Sequence, residues 1–166
     1  MREMVATMSE YNTWANDRVV ECAARLGPEQ YRVDGGASFG SVHDTLVHVM
    51  GAQWLWLSRW KGVFPRALPA PSEFRDLDAL RHRWAEVERE ARAFLAGLTE
   101  ADLARPVSYL NTEGERWAYP LWQQMLHQVN HGTQHRSEVA MVLTRFGQSP
   151  GWLDFLYYMD VRATAA

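Results

Sequence analysis

Cysteine is nearly missing from this chain. Cys22 is the only one among 166 residues, which excludes a disulfide framework and any metal site built from thiolates, and fits a reducing compartment. Metal ligands must therefore be nitrogen or oxygen. An excess of positive charge is lacking too: 17 basic against 20 acidic side chains leave a formal net charge of -3. Without a basic block of more than a few residues, nucleic acid is excluded as a partner, because its binding is driven by neutralising phosphates. The same count disfavours a membrane surface. No apolar run reaches the roughly 20 residues of a membrane span, and the opening MREMVATMSEYNTWANDRVV lacks the unbroken apolar region of a signal peptide. A cytoplasmic protein is expected.

Hydrophobic residues make up 47% of the chain, enough for one domain over residues 1–166 with a sizeable core. Met4, Val5, Met8, Tyr11, Trp14, Ala15, Val19 and Cys22 recur at intervals of three and four, which predicts an amphipathic helix over about residues 3–25. Gly27-Pro28 ends it. A second helix is expected to open at Ser41, with Asp44 as capping-box partner, and to run to about Trp60. A third begins between Ser72 and Asp78 and ends near Gly97. Residues 107–110 and 116–119, joined by Asn111-Thr112-Glu113-Gly114, read as a short hairpin that must lean on helices to be stable. A fourth helix follows, with Pro120 in its first turn, reaching about Phe146 before Gly147. Ser149-Pro150 reads as the N-cap and first residue of a short last helix over about 150–163. The fold class is all-α: a four-helix bundle with long connections, a hairpin before the fourth helix and a short C-terminal helix. A faint internal echo relates helix one with LGPEQY to helix three with LTEADL.

The fourth helix carries His127, His131 and His135 on one arc, shared with Gln124, Gln128, Gln134 and Glu138. Such a stripe is either a solvated polar face or a set of metal ligands. His127 and His135 stand about 12 Å apart along a helix axis, whereas metal to imidazole bonds are about 2.0–2.1 Å. One ion therefore takes His127 with His131, or His131 with His135. A further ligand has to come from elsewhere: His43, His48, His82, Glu86, Glu88 and Glu90 are the candidates. His48 lies mid-helix among apolar residues and needs a partner there. His43 in a first turn and His82 within RHRW suit ordinary surface roles. Di-iron chemistry of the ferritin type requires Glu-x-x-His pairs, and the sequence has none. Trp54, Trp56, Trp60, Trp117, Trp122 and Trp152 serve packing or line an aromatic cleft over the metal.

The segments FGSVHDTLVHVMGAQWLWLSRWKG, LNTEGERWAYPLWQQMLHQVNHGTQHR and GWLDFLYYM resemble the DinB superfamily of DinB/YfiT-like metalloenzymes over nearly the whole chain. That resemblance implies a bundle, often dimeric, with one divalent metal held by His48, His131 and His135. His127 and Arg136 are then residues of the surrounding pocket. The family pattern continues His-Arg-Gly-Gln, whereas Arg136 is followed here by Ser137 and Glu138. Zinc or nickel, then iron or manganese, suit such ligands. Three neutral imidazoles leave coordination positions open, as in catalytic sites. The resemblance further implies activation of a low-molecular-weight thiol, such as bacillithiol or mycothiol, for S-transfer to a small electrophile. A metal-dependent hydrolase and a non-catalytic, metal-binding stress-response protein are the competing expectations. The aromatic content and the resemblance imply a homodimer.

Overall fold

The computed structural model describes residues 1–165. It is all-α apart from one hairpin, in the order α1 (Arg2–Ala23), α2 (Pro28–Arg32), α3 (Val42–Trp60), a 3-10 turn (Pro71–Glu73), α4 (Leu77–Ala96), α5 (Glu100–Ala104), β1 (Pro106–Leu110), β2 (Arg116–Pro120), α6 (Leu121–Arg145) and α7 (Phe155–Ala165). Local chemistry sets the ends. Ser41 Oγ accepts from the Asp44 amide at 3.0 Å, and the Asp76 carboxylate accepts from the Ala79 amide at 2.8 Å. Each thereby satisfies a donor that the first turn leaves unpaired. The internal echo has a physical counterpart. A short helix follows each long one, α2 after α1 and α5 after α4, before the chain reaches α3 or, through the hairpin, α6.

α6 lies at the centre, packed against α3 on one side and α1 on the other, with α4 resting on α3 and α1. The main core joins Val19 of α1, Leu46 and Met50 of α3, Leu80 and Trp84 of α4, and Val139 and Leu143 of α6. Val5, Leu103, Leu121 and Met125 form a second cluster where α5 meets the start of α6. The hairpin is antiparallel, with Val107 opposite Tyr119 and Tyr109 opposite Trp117, and it leans on α3 and α6. No helix among the described residues is long and apolar enough to cross a membrane.

Two boundaries differ from the sequence reading. Pro120 belongs to β2 and caps α6 with extended backbone instead of occupying its first turn, because its strand runs straight into the helix. The last helix starts at Phe155 rather than Pro150. Gly151 has a φ of 71°, a left-handed conformation that no right-handed helix accommodates. The Pro150 carbonyl accepts from Arg18 at 2.7 Å and the Leu153 carbonyl from Tyr11 at 2.8 Å. Residues 150–153 are thereby held non-helical against α1.

Candidate metal centre

The polar arc of α6 is only partly a solvated face. Gln124 is 2% and His135 6% exposed, and Gln128 is buried with them, whereas His127 and Gln134 on the same arc are exposed. His48 projects from α3 into the same place. One ligand nitrogen from each of His48, His131 and His135 lies within 4.8 Å of the others. His48 Nε2 and His131 Nε2 are 3.1 Å apart. Two bonds of about 2.0–2.1 Å meeting at about 90–109° place their nitrogens about 2.8–3.4 Å apart, so the spacing suits two ligands of one ion.

The rings are electrically prepared for that role. Burial, then the neighbouring rings of His131 and His135, lowers the His48 pKa to about 4. Burial, then His135 and His127, lowers His131 to about 4 as well. Both rings are neutral at pH 7 and carry a lone pair. His135 is oriented by Glu138, one turn further along α6, whose carboxylate accepts from its Nδ1 at 3.2 Å. That bond puts the proton on Nδ1 and leaves Nε2 as the donor to a metal. Glu138 is itself held by Ser38, through the amide at 3.2 Å and the hydroxyl at 2.7 Å. Burial pushes the Glu138 carboxyl up, but the bonds from Ser38 and His135 outweigh it and leave it below its ordinary value. His131 has no such outer partner: its Nδ1 is buried and unpaired among the described residues. Phe39 stacks on His48 with ring centroids 3.8 Å apart and meets His135 edge-on at 5.3 Å. The donor set fits a divalent ion of intermediate softness.

Sequence reasoning could not supply Ser38 and Phe39. They sit in a glycine-rich connection without periodicity, and only the fold brings them to α6. Glu138 carried a signal, three residues after His135 on the same face.

The other candidates lie elsewhere. His127 is not within reach of the triad: its ring stands 6.4 Å from that of His131 and edge-on to Trp56 at 5.1 Å. Burial, then the positive charge of Arg59, keeps its pKa below the ordinary value. Arg136 points away from the histidines into the interface with α1. There it is 2% exposed and donates to Asn12, Asn16 and Thr133 at 2.6, 2.9 and 2.8 Å. His43 is not a surface residue. It is fully buried, donating from Nε2 to the Pro71 carbonyl at 3.1 Å, with Nδ1 beside the Tyr31 hydroxyl at 3.2 Å. His82 is exposed and faces Glu86. Glu86 and Glu90 pair with Arg83 and Lys61. Glu88 is buried against Asn16 of α1, where burial, then the charge of Asp17, raises its pKa to about 7. Of the six tryptophans weighed for a cleft, Trp54 joins the main core, Trp60 and Trp122 the second cluster, and Trp117 and Trp152 are exposed. Trp56 alone touches a histidine, His127.

Comparison with known proteins bears on the family and the fold. The protein named DinB of Bacillus subtilis (strain 168) is 22% identical over 171 residues, covering 99% of this chain and 98% of that one. A conserved protein of Enterococcus faecalis, known from its crystal structure, shares the fold with a TM-score of 0.65 at 14% identity, covering 82% of this chain and 92% of that one. At that identity the likeness concerns the fold alone. A model of the DinB family matches residues 1–165, and with that span the chain belongs to the DinB family.

Proposed function

We propose that the protein is a metal-dependent S-transferase, in which His48, His131 and His135 hold one divalent ion and a low-molecular-weight thiol is transferred to an electrophile. The observation that carries this reading is the donor set: three imidazoles gathered with a ring nitrogen of each within 4.8 Å of the others, with neither a carboxylate nor a thiolate among them. Three nitrogen ligands leave coordination positions free for a reactant. The ion, when bound, supplies the Lewis acidity that lowers a thiol pKa and so provides thiolate at neutral pH. The chain contributes orientation. Glu138 fixes the tautomer of His135, and Phe39 packs the face of His48 against water. The chain's own thiol does not serve. Cys22 is buried in α1, its sulfur 3.7 Å from the Ser149 carbonyl, so the nucleophile comes from a cosubstrate. The thiol proton leaves to solvent, a carbon to sulfur bond forms, and the leaving group departs with its bonding electrons.

The test has two parts. Elemental analysis of protein from cells should find metal in the wild type and in His127→Ala, and lose it in His48→Ala, His131→Ala and His135→Ala. Turnover of a model electrophile with bacillithiol, mycothiol or glutathione should exceed that of free metal plus thiol. No excess with any of the three thiols removes the S-transfer reading, and turnover without thiol would mark a hydrolase instead.

A further inference from the structure

Where the end of α3 meets α4 and the first strand, a cavity of about 460 Å³ is lined by apolar side chains, among them Trp60, Phe94 and Leu98, and by two charged ones, Arg59 and Arg105. That volume falls within the roughly 300–1,000 Å³ of small-molecule sites. The apolar wall is preformed, because Trp60 stacks on Phe94 with ring centroids 6.0 Å apart and both pack, with Leu98, against the second cluster. No carboxylate lines the cavity.

Arg59 is enclosed without an anion. It is 6% exposed, and its guanidinium lies 4.7 Å from the Trp56 ring and 4.9 Å from that of Tyr109. Those π-faces and the carbonyl end of α3 soften the charge, but nothing among the described residues accepts a hydrogen bond from it. Its Nε is sealed as well as unpaired, so no guest reaches that nitrogen. The two Nη nitrogens are unpaired but not sealed, and they are the donors left for a guest. Burial lowers the Arg59 pKa and only Tyr109 opposes it, with no carboxylate among the influences; the group stays charged, since a guanidinium keeps its proton in proteins. The neighbouring cations differ. Lys61 is paired with Glu90 at 2.7 Å, and Arg105, exposed on the rim, is the weakest of the influences on the Asp102 carboxyl.

A buried charge without a counter-charge is costly, and an anion from outside would relieve it. One enclosed positive charge calls for one negative charge, and the planar guanidinium fork matches the two oxygens of a carboxylate. A bare inorganic anion would leave the apolar wall unused.

We propose that this cavity binds a small organic carboxylate, its oxygens on the Nη groups of Arg59 beside Arg105 and its apolar body against Trp60, Phe94 and Leu98. The site stands apart from the histidine triad and does not rest on the S-transfer reading.

The experiment titrates ¹⁵N-labelled protein with 2-naphthoate, 2-naphthylmethanol, 2-naphthylmethylammonium and acetate, once stripped of metal by a chelator, so that no ion can capture a carboxylate, and once zinc-loaded. In both states 2-naphthoate should shift the Arg59 Nε–H and Trp60 indole resonances saturably. It should bind at least about tenfold more tightly than the alcohol or the ammonium, the worth of one charge-assisted hydrogen bond. Partition alone favours the alcohol, so that preference cannot come from hydrophobicity. Acetate, which lacks the apolar body, should also bind at least about tenfold more weakly. Arg105→Gln should weaken 2-naphthoate about two- to fivefold, as for an exposed pair. Arg59→Met removes the charge while keeping an unbranched side chain beside Trp56 and Tyr109, and should abolish the preference for 2-naphthoate over the alcohol. No saturable shift at Arg59 and Trp60 in metal-free protein overturns the site. Equal binding of the alcohol, or an undiminished preference in Arg59→Met, shows that Arg59 only packs on its rings and overturns the carboxylate. Acetate binding as tightly as 2-naphthoate overturns the apolar seat. Should Arg59→Met not fold, the four probes on the wild type and on Arg105→Gln decide alone.

Discussion

Replacing Glu138 tests whether the carboxylate behind His135 belongs to the metal centre. Glu138→Ala removes the acceptor 3.2 Å from His135 Nδ1 and frees the Ser38 hydroxyl that donates at 2.7 Å. The second loss is minor, because Ser38 is exposed and turns to water. The first is not, because His135 is 6% exposed. An unmet buried donor costs about 1–3 kcal/mol, or roughly 5- to 150-fold in an equilibrium constant. Outer partners of metal-bound histidines are worth about 10- to 100-fold in affinity, so two independent routes agree. The cost falls on the loaded state. An ion on Nε2 obliges Nδ1 to carry the proton, whereas the empty ring can shift its proton to Nε2. Zinc affinity, measured by competition with a chromophoric chelator, should therefore drop about 10- to 100-fold in Glu138→Ala. Unfolding of the metal-free variant should change by less than about 1 kcal/mol. Glu138→Gln keeps an acceptor oxygen without the charge, and should lose less than about tenfold. A folded Glu138→Ala protein that binds zinc within twofold of wild type would refute the reasoning and leave Glu138 as a tether for Ser38.

Three further outcomes are expected. His48 and His131 titrate at about 4 rather than 6.5, so between pH 7.5 and 5.5 these two should cost zinc affinity less than about threefold, where two ordinary imidazoles would cost about a hundredfold; competition titrations at both pH values decide it. The metal-free fold shifts in the same direction: between about pH 6.5 and 4 the unfolded chain takes up protons that the two buried rings refuse, so their contribution to the urea midpoint should be lost as pH falls through that window. Gly132→Ala would bring a methyl 2.7 Å from the Arg136 guanidinium and 2.9 Å from Asn12 Oδ1; with Arg136 fully enclosed, a loss of about 1–3 kcal/mol is expected in urea unfolding. If the homodimer expected from the aromatic content and the family resemblance forms, light scattering should give twice the chain's 19.1 kDa, and a monomer mass would remove that expectation.

Spacing made much of this molecule legible. Apolar residues three and four apart marked α1, and the Ser41 cap and the Gly97 and Gly147 stops bounded its partners. Helix rise alone required His131 in any chelating pair on α6. What spacing could not reveal was depth. The arc of α6 leaves a wet face and a ligand set equally open on the wheel, yet Gln124, Gln128 and His135 are buried while His127 and Gln134 on the same arc are exposed. A helix wheel records direction and not what stands opposite. His43 deceived for the same reason, since a first-turn histidine looks exposed until Tyr31 and Pro71 close over it. Ser38 and Phe39 left no trace, because a loop between glycines has no period. The start of α7 was missed because Ser149-Pro150 carries a strong local signal, which Gly151 and the bonds to Arg18 and Tyr11 override.

The echo between the two halves of the chain has a mechanical consequence. His48 stands on the last long helix of the first half, and His131 and His135 on that of the second, His48 and His131 being 83 positions apart. An ion clasped by all three would act as a cross-link closing that loop. On the polymer estimate, such a closure removes about 4–5 kcal/mol of chain entropy from the unfolded state. The metal would then be a rivet between halves as well as a reagent, and a cell short of it would hold the same helices in a looser embrace.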